Sequence, residues 1–177
     1  MRHLVDFPGS AARYVASCTD ASETPPPGAP EDPLADLPPD ERERVEEGEA
    51  REAAASSPQQ AKDAWLMQAP RLAVDPAAYE RMLRDVIFRP EMGRERDWGE
   101  LEALGALAGA DVPVLAIGAE LDRATPPECA RRIAATAPQG DLLMIEGSGH
   151  FPFAEAPERY WPALEAWLLR TAPGTSG

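Results

Sequence analysis

Apolar positions along this chain fall into two kinds of run, and the change between them divides it. Val112 to Ile117 reads Val-Pro-Val-Leu-Ala-Ile, and Leu142 to Ile145 reads Leu-Leu-Met-Ile. Short, near-continuous apolar runs of this kind predict strands of a parallel sheet buried on both faces, the first ending at Gly118. Between them the spacing predicts a helix started by Thr125, Pro126 and Pro127, packed by Ile133 and several alanines, and ended by Pro138-Gln-Gly140. After the second run, Pro157 opens a last helix through Tyr160, Trp161, Leu164, Trp167 and Leu168. Strand, helix, strand, helix is the order of an α/β fold with parallel strands. At the other end, Leu4 to Pro8 reads as the close of a helix. Ala12 to Cys18 reads as a short strand after a Pro-Gly-Ser turn.

The middle of the chain has a different pattern. Thr19 to Pro39 is rich in Pro, Asp and Glu, which predicts a long surface connection or the entry to a separate lobe. Asp40 to Ala55 predicts a helix with Val45 as almost its only large apolar residue, hence a mostly solvated one. A second helix starts near Pro58 and carries Trp65, Leu66 and Met67. In a third, Asp75 can cap and Pro76 suits the first turn, while Tyr79, Met82, Leu83, Val86 and Ile87 recur at helical spacing. Trp98, Leu101, Leu104 and Leu107 form one more apolar stripe, leading into the strand at Val112. This gives residues 1–18 as a helix end and strand, 19–97 as a helical lobe with a Pro-rich entry, and 98–177 as an α/β segment.

Composition narrows the functional classes. A net charge of −14 and a pI near 4.5 oppose binding to nucleic acid phosphates or anionic lipid, so neither is expected as a partner. No segment approaches ~18 consecutive apolar residues, and Asp6, Pro8 and Gly9 interrupt any signal-peptide core, which makes a cytoplasmic protein the expectation. Cys18 and Cys129 lack metal-ligand spacing and read as two reduced thiols; with two histidines in the chain, no metal site is expected.

The chemistry lies beside the two strands. Asp122 and His150 each fall just past the carboxyl end of a predicted parallel strand, where side chains from separate loops converge on one crevice. Glycines at 118, 147 and 149 are expected to let those loops turn sharply. A carboxylate there can hold one imidazole nitrogen, and the imidazole can take a proton from a nucleophile. No Gly-x-Ser-x-Gly elbow occurs in these residues. Ser148 reads as a small turn residue rather than a nucleophile, Glu120 as an alternative acid, and Asp122 read alone as a turn residue near Thr125. The acidic run from Glu41 to Glu52 reads as a solvated face. Phe151, Phe153, Trp65 and Trp98 fit either an apolar pocket or core packing.

Pro113-Val-Leu-Ala-Ile-Gly-Ala-Glu-Leu-Asp-Arg-Ala-Thr-Pro-Pro127 resembles the acid-bearing strand and turn of the α/β-hydrolase family. Ile145-Glu-Gly-Ser-Gly-His-Phe-Pro-Phe-Ala-Glu-Ala-Pro157 resembles its histidine loop. The acid precedes the histidine, as in that family. His-Phe-Pro-Phe followed by Glu-x-Pro-Glu-Arg-Tyr-Trp is similar to capped members such as prolyl aminopeptidases and related esterases or lactonases. The resemblance implies the C-terminal portion of an α/β-hydrolase fold, about three parallel strands with flanking helices, and makes residues 19–97 a helical cap over the core. Asp122 and His150 would be its catalytic acid and base. By the same alignment the nucleophile would stand roughly six to eight residues before Met1. It also implies hydrolysis of an ester, amide or N-terminal peptide bond in a small molecule or peptide, with water and no cofactor.

Two other readings follow from the same residues: an epoxide hydrolase or dehalogenase type with an aspartate nucleophile, and a non-catalytic fragment acting through an exposed sheet edge. The strand at Arg13 to Cys18 is the one whose edge is expected to be open, with self-association as the consequence.

Overall fold

The computed structural model describes residues 1–90 and 102–172. The expectations for Trp98 and Leu101, and the boundary drawn between residues 97 and 98, lie outside the described residues.

Three strands form one parallel sheet in the order β1-β2-β3: β1 (Tyr14–Ser17), β2 (Val114–Ala119) and β3 (Gly140–Ile145). Tyr14 stands opposite Val114, and Val114 opposite Gly140, so the three strands start level and end level. Every residue of β2 is buried, as its apolar run predicts. The alternating sides of that strand feed two clusters. Val114 and Ala116 pack with Leu107 of α6 (Leu104–Ala108) and with Ala130 and Ile133 of α7 (Pro127–Thr136). Leu115 and Ile117 pack with Ile145, Tyr160 and Trp167, the last two from α9 (Pro157–Arg170). A short helix, α8 (Pro152–Glu155), precedes α9 without a clear sequence signal.

β3 departs from the expectation of a strand buried on both faces. It is an edge strand, and Leu142 keeps 46 % of its surface exposed. Its start also moves, since Gly140 is a strand residue rather than only the end of α7. A Cβ at Gly140 would meet the Ala134 backbone at 2.0 Å, so glycine is required where α7 hands over to the strand. On the other face, Asp141 accepts from the Trp167 indole at 2.7 Å and from Arg170 at 2.8 Å, fastening α9 along the edge.

Helix α1 (Arg2–Asp6) leads into β1, and the chain from Thr19 runs irregularly to the helix that starts at Pro39, as its composition predicts. This connection is pinned to the core. Asp20 takes Arg132 of α7, Ala21 accepts from Ala103 N at 2.7 Å, and Ser22 Oγ donates to Glu102 at 2.7 Å.

The helical segment between β1 and β2 contains α2 (Pro39–Ala54), α3 (Pro58–Met67), α4 (Ala69–Leu72) and α5 (Pro76–Arg84). Large side chains, Leu72, Tyr79 and Leu83, are buried where α4 and α5 meet, whereas the α2–α3 interface is made of small ones. Val45, Ala61 and Ala64 are buried between α2 and α3, and a Cβ on Gly48 would come within 2.9 Å of Ala64 O. Asp75 caps α5 by accepting from Ala77 N and Ala78 N, as expected. The helix stops at Arg84, before the end of its apolar stripe, so Val86 and Ile87 are not part of its buried face; Ile87 is 79 % exposed. Phe88 instead turns back to meet Trp65 edge-on at 5.5 Å. The acidic face of α2 is solvated, with Glu43, Glu46, Glu47, Glu49 and Glu52 exposed, and two of these carboxylates also hold neighbouring helices. Glu52 accepts from Trp65 Nε1 and Gln68 Nε2, and Glu49 pairs with Arg71.

Candidate functional site

The acid loop leaves β2 at Ala119. Two residues tie it to the end of β3 and the loop beyond: Glu120 N donates to Ile145 O at 3.0 Å and Leu121 N to Ser148 O at 3.0 Å. Between them and α7 the Asp122 side chain is fully enclosed. Its Oδ1 accepts from Ala124 N at 2.8 Å and Thr125 N at 2.9 Å, and its Oδ2 accepts from Thr125 Oγ1 at 2.9 Å. The same Oδ2 faces His150, whose Nδ1 lies 2.9 Å away. The turn-residue reading of Asp122 and the imidazole-holding reading are therefore both satisfied by one carboxylate. Backbone donors and the threonine hydroxyl disperse the charge of a buried carboxylate that would otherwise be costly, and they fix its orientation.

Because an ionised carboxylate only accepts, the bond assigns the proton of a neutral His150 ring to Nδ1 and leaves the lone pair on Nε2. Thr125 Oγ1, 3.3 Å from the same Nδ1, limits rotation of the ring. The imidazole retains 22 % exposure while its acid has none. This arrangement can accept a proton at Nε2 and stabilise the resulting cation through Asp122.

The histidine loop, 146–151, is built from the backbone. Gly147 takes φ +62°, the left-handed turn that lets the loop double back, and its N–H donates to Glu120 Oε2 at 2.8 Å. Glu120 thus holds the histidine loop rather than standing in for Asp122. Gly118 and Gly149 serve close approach instead of a sharp turn: a Cβ on Gly118 would lie 2.8 Å from that of Ala130. Ser148 is buried with Oγ donating to Ile145 O at 3.3 Å, in keeping with a turn residue. His150 N donates to Leu72 O at 2.9 Å, so α4 also sets the histidine backbone.

Among the aromatic candidates, Phe151 stacks on Tyr79 at 5.6 Å and lies 6.3 Å from Trp65, in a cluster with Leu72 and Leu83. Both pack at the junction of the histidine loop with α3–α5, whereas Phe153 is 36 % exposed. Cys18 and Cys129 are free, and burial first, with the neighbouring Asp122 and Asp20 carboxylates respectively, pushes each thiol up to about 12. Cys18 also adopts φ +44° as the chain leaves β1. Among the described residues no cluster of His, Cys, Asp and Glu could hold a metal ion.

Two residues that sequence reasoning passed over carry much of the geometry. Glu155 accepts from Gly149 N, Val74 N and Asp75 N, and Arg123 forks onto Asp36 at 3.1 and 2.7 Å. The only signal for either was its place in a motif, Glu155 in Glu-x-Pro and Arg123 beside Asp122.

A family model described as TAP-like protein matches residues 95–168, the stretch that contains both Asp122 and His150. No curated protein matches the chain by sequence. Among solved structures, the chain is similar to a thermophilic esterase from Thermogutta terrifontis, with 22 % identity, a TM-score of 0.60, and coverage of 92 % of this chain and 57 % of that one. An esterase from Rhodococcus sp. ECU1013 aligns at 16 % identity and TM-score 0.67 over 96 % of this chain and 60 % of that one. MenH from S. aureus aligns at 15 % identity and TM-score 0.65 over 97 % and 64 %. The chain thus spans about 57 to 64 % of the length of these structures. It has the C-terminal portion of the α/β-hydrolase fold, three parallel strands with flanking helices, and its residues 95–168 are similar to the TAP-like proteins.

Proposed function

We propose that this chain supplies the acid and base of a hydrolase acting on an ester, amide or N-terminal peptide bond in a small molecule or peptide. The observation that carries the reading is the 2.9 Å bond from His150 Nδ1 to an Asp122 carboxylate with no exposed side-chain surface. Asp122 holds the ring and stabilises its cation; Nε2 takes the proton of a nucleophile and returns it to the leaving group. The nucleophile comes from sequence outside these residues, a serine in the preferred form of the reading and an aspartate in the epoxide hydrolase or dehalogenase form. In this reading α2–α5 form a cap that screens the substrate, water is the co-reactant, no cofactor takes part, and the protein works in the cytoplasm.

The test is hydrolysis of a p-nitrophenyl ester and an aminoacyl anilide by the chain together with the polypeptide that carries the nucleophile. His150→Ala should remove turnover, and Asp122→Asn should lower it by about 10³–10⁴-fold through the wrong imidazole tautomer. Turnover that survives His150→Ala rejects the assignment.

The non-catalytic reading also has a specific observation in its favour. β1 is an edge strand with Val15 41 % exposed, and Phe7 nearby in sequence is 57 % exposed. An open parallel edge invites pairing with another chain. Sedimentation of the chain alone should show concentration-dependent self-association, and a monomer at all concentrations counts against that reading.

A further inference from the structure

The two loops that carry Asp122 and His150 are joined to each other through the ends of β2 and β3, but the histidine loop has a second attachment that the proton-transfer reading does not use. Glu155, half-buried at the end of α8, spreads its carboxylate over two separate pieces of backbone. Oε1 accepts from Gly149 N at 3.1 Å, directly before His150, and Oε2 accepts from Val74 N at 2.7 Å and Asp75 N at 3.0 Å. His150 N donates across the same junction to Leu72 O at 2.9 Å. The two backbones touch: a Cβ on Gly149 would lie 3.0 Å from Ala73 Cα, from Leu72 O and from Glu155 Oε1. Asp75, held by Glu155 through its N–H, is also the residue that caps α5.

We propose that Glu155 is a positioning residue for His150, joining residues 72–75 to the histidine loop so that seating of the α4–α5 segment and the setting of the imidazole are one structural event. A carboxylate suits this because it accepts from several N–H groups at once, and bonds to an ionised acceptor are roughly twice as strong as neutral ones. A glutamine would present an N–H₂ group to donors on one side and break the join. Its catalytic meaning rests on His150 being the base, whereas the joining itself is a property of the chain alone.

The experiment is amide hydrogen exchange with NMR of the His150 ring, on the full chain and on Glu155→Gln. In the unsubstituted chain the amides of Val74, Asp75, Gly149 and His150 should open together with one common protection. In Glu155→Gln they should exchange about tenfold faster, and the His150 ring resonances should shift, while Leu115 and Ile117 in β2 keep their rates. Separate opening rates in the unsubstituted chain, or faster exchange at Val74 and Asp75 with unmoved His150 resonances, overturn the proposal. If Glu155→Gln does not fold, Gly149→Ala decides the same point, since its Cβ, 3.0 Å from Ala73 Cα, Leu72 O and Glu155 Oε1, wedges the two backbones apart while leaving the carboxylate's charge in place. Failure of the functional reading looks different: the low-field Nδ1–H resonance of a carboxylate-bound imidazole is then missing from the unsubstituted chain, whatever the exchange rates.

Discussion

The sheet with its two loops and the helical segment α2–α5 are held together by different means. β2 is buried along its whole length between two apolar clusters, and the loops that follow β2 and β3 are laced by backbone and carboxylate hydrogen bonds. The α2–α3 interface is made of Val45, Gly48, Ala61 and Ala64, bordered by surface ion pairs such as Arg42–Asp32 and Arg71–Glu49. Exposed pairs of that kind contribute little. The segment is placed on the core by the apolar cluster of Leu72, Ala73, Tyr79 and Leu83 with Ala124 and Phe151, and by the polar attachments at Glu155 and the Leu72 carbonyl. Hydrophobic burial holds the sheet and hydrogen bonds hold the two loops on it, whereas the junction of the helices with the histidine loop combines an apolar cluster with directed polar bonds.

The largest expected effect separates the two regions. Ile117→Ala removes a fully buried side chain from the centre of the sheet and should cost about 2–5 kcal/mol, lowering protection throughout the chain. Val45→Ala should cost about 1–3 kcal/mol and raise amide exchange in α2 and α3 while β2 keeps its protection. Equal loss of protection in both regions from Val45→Ala would show that they unfold as one unit.

The thiols sharpen the comparison from the core side. Cys18 and Cys129, each pushed up to about 12, should resist iodoacetamide near neutral pH and react once the chain is unfolded in denaturant. Their modification should slow strongly in the native chain and be unaffected by Val45→Ala, because they report opening of the sheet and not of α2–α3. Fast labelling of the native chain at pH 8 would contradict the burial of the sheet ends.

The smallest effect concerns the fork between the regions. Arg123 beside Asp36 holds that carboxyl below its ordinary value, although Asp36 is largely in solvent. A carboxyl lowered on folding contributes stability above its unfolded pKa, about 4, and loses it as the pH falls through the folded value. Asp36→Asn should therefore cost only a few tenths of a kcal/mol at pH 7, and the difference from the parent should vanish in acid. A pH-independent difference would assign the effect to something other than this pair.

How much was legible beforehand follows from the kind of interaction involved. β2 and α5 were readable because an unbroken apolar run and an Asp-Pro start act locally. β3 misled because four apolar residues in a row look alike in a central strand and in an edge strand closed on one side by α9. Val86 and Ile87 continued a stripe that the helix did not follow, since Phe88 found its partner on Trp65 instead. Asp122 and His150 could be named from their places after predicted strands, but the donors that orient them could not. Arg123 and Glu155 were invisible for the same reason: their partners are 87 and 81 residues away.

The sequence by itself determined most of the elements, the alternation of strand and helix, and the places of Asp122 and His150 just past two parallel strands, since periodicity, capping and strand-end position are properties of neighbours in the chain. Tertiary structure alone decided that one carboxylate both caps its turn and holds the imidazole, and that Leu72 and Glu155 set the histidine backbone. Hydrogen bonds and close packing depend on distance in space, and loops this far apart in sequence are brought together only by the folded sheet beneath them.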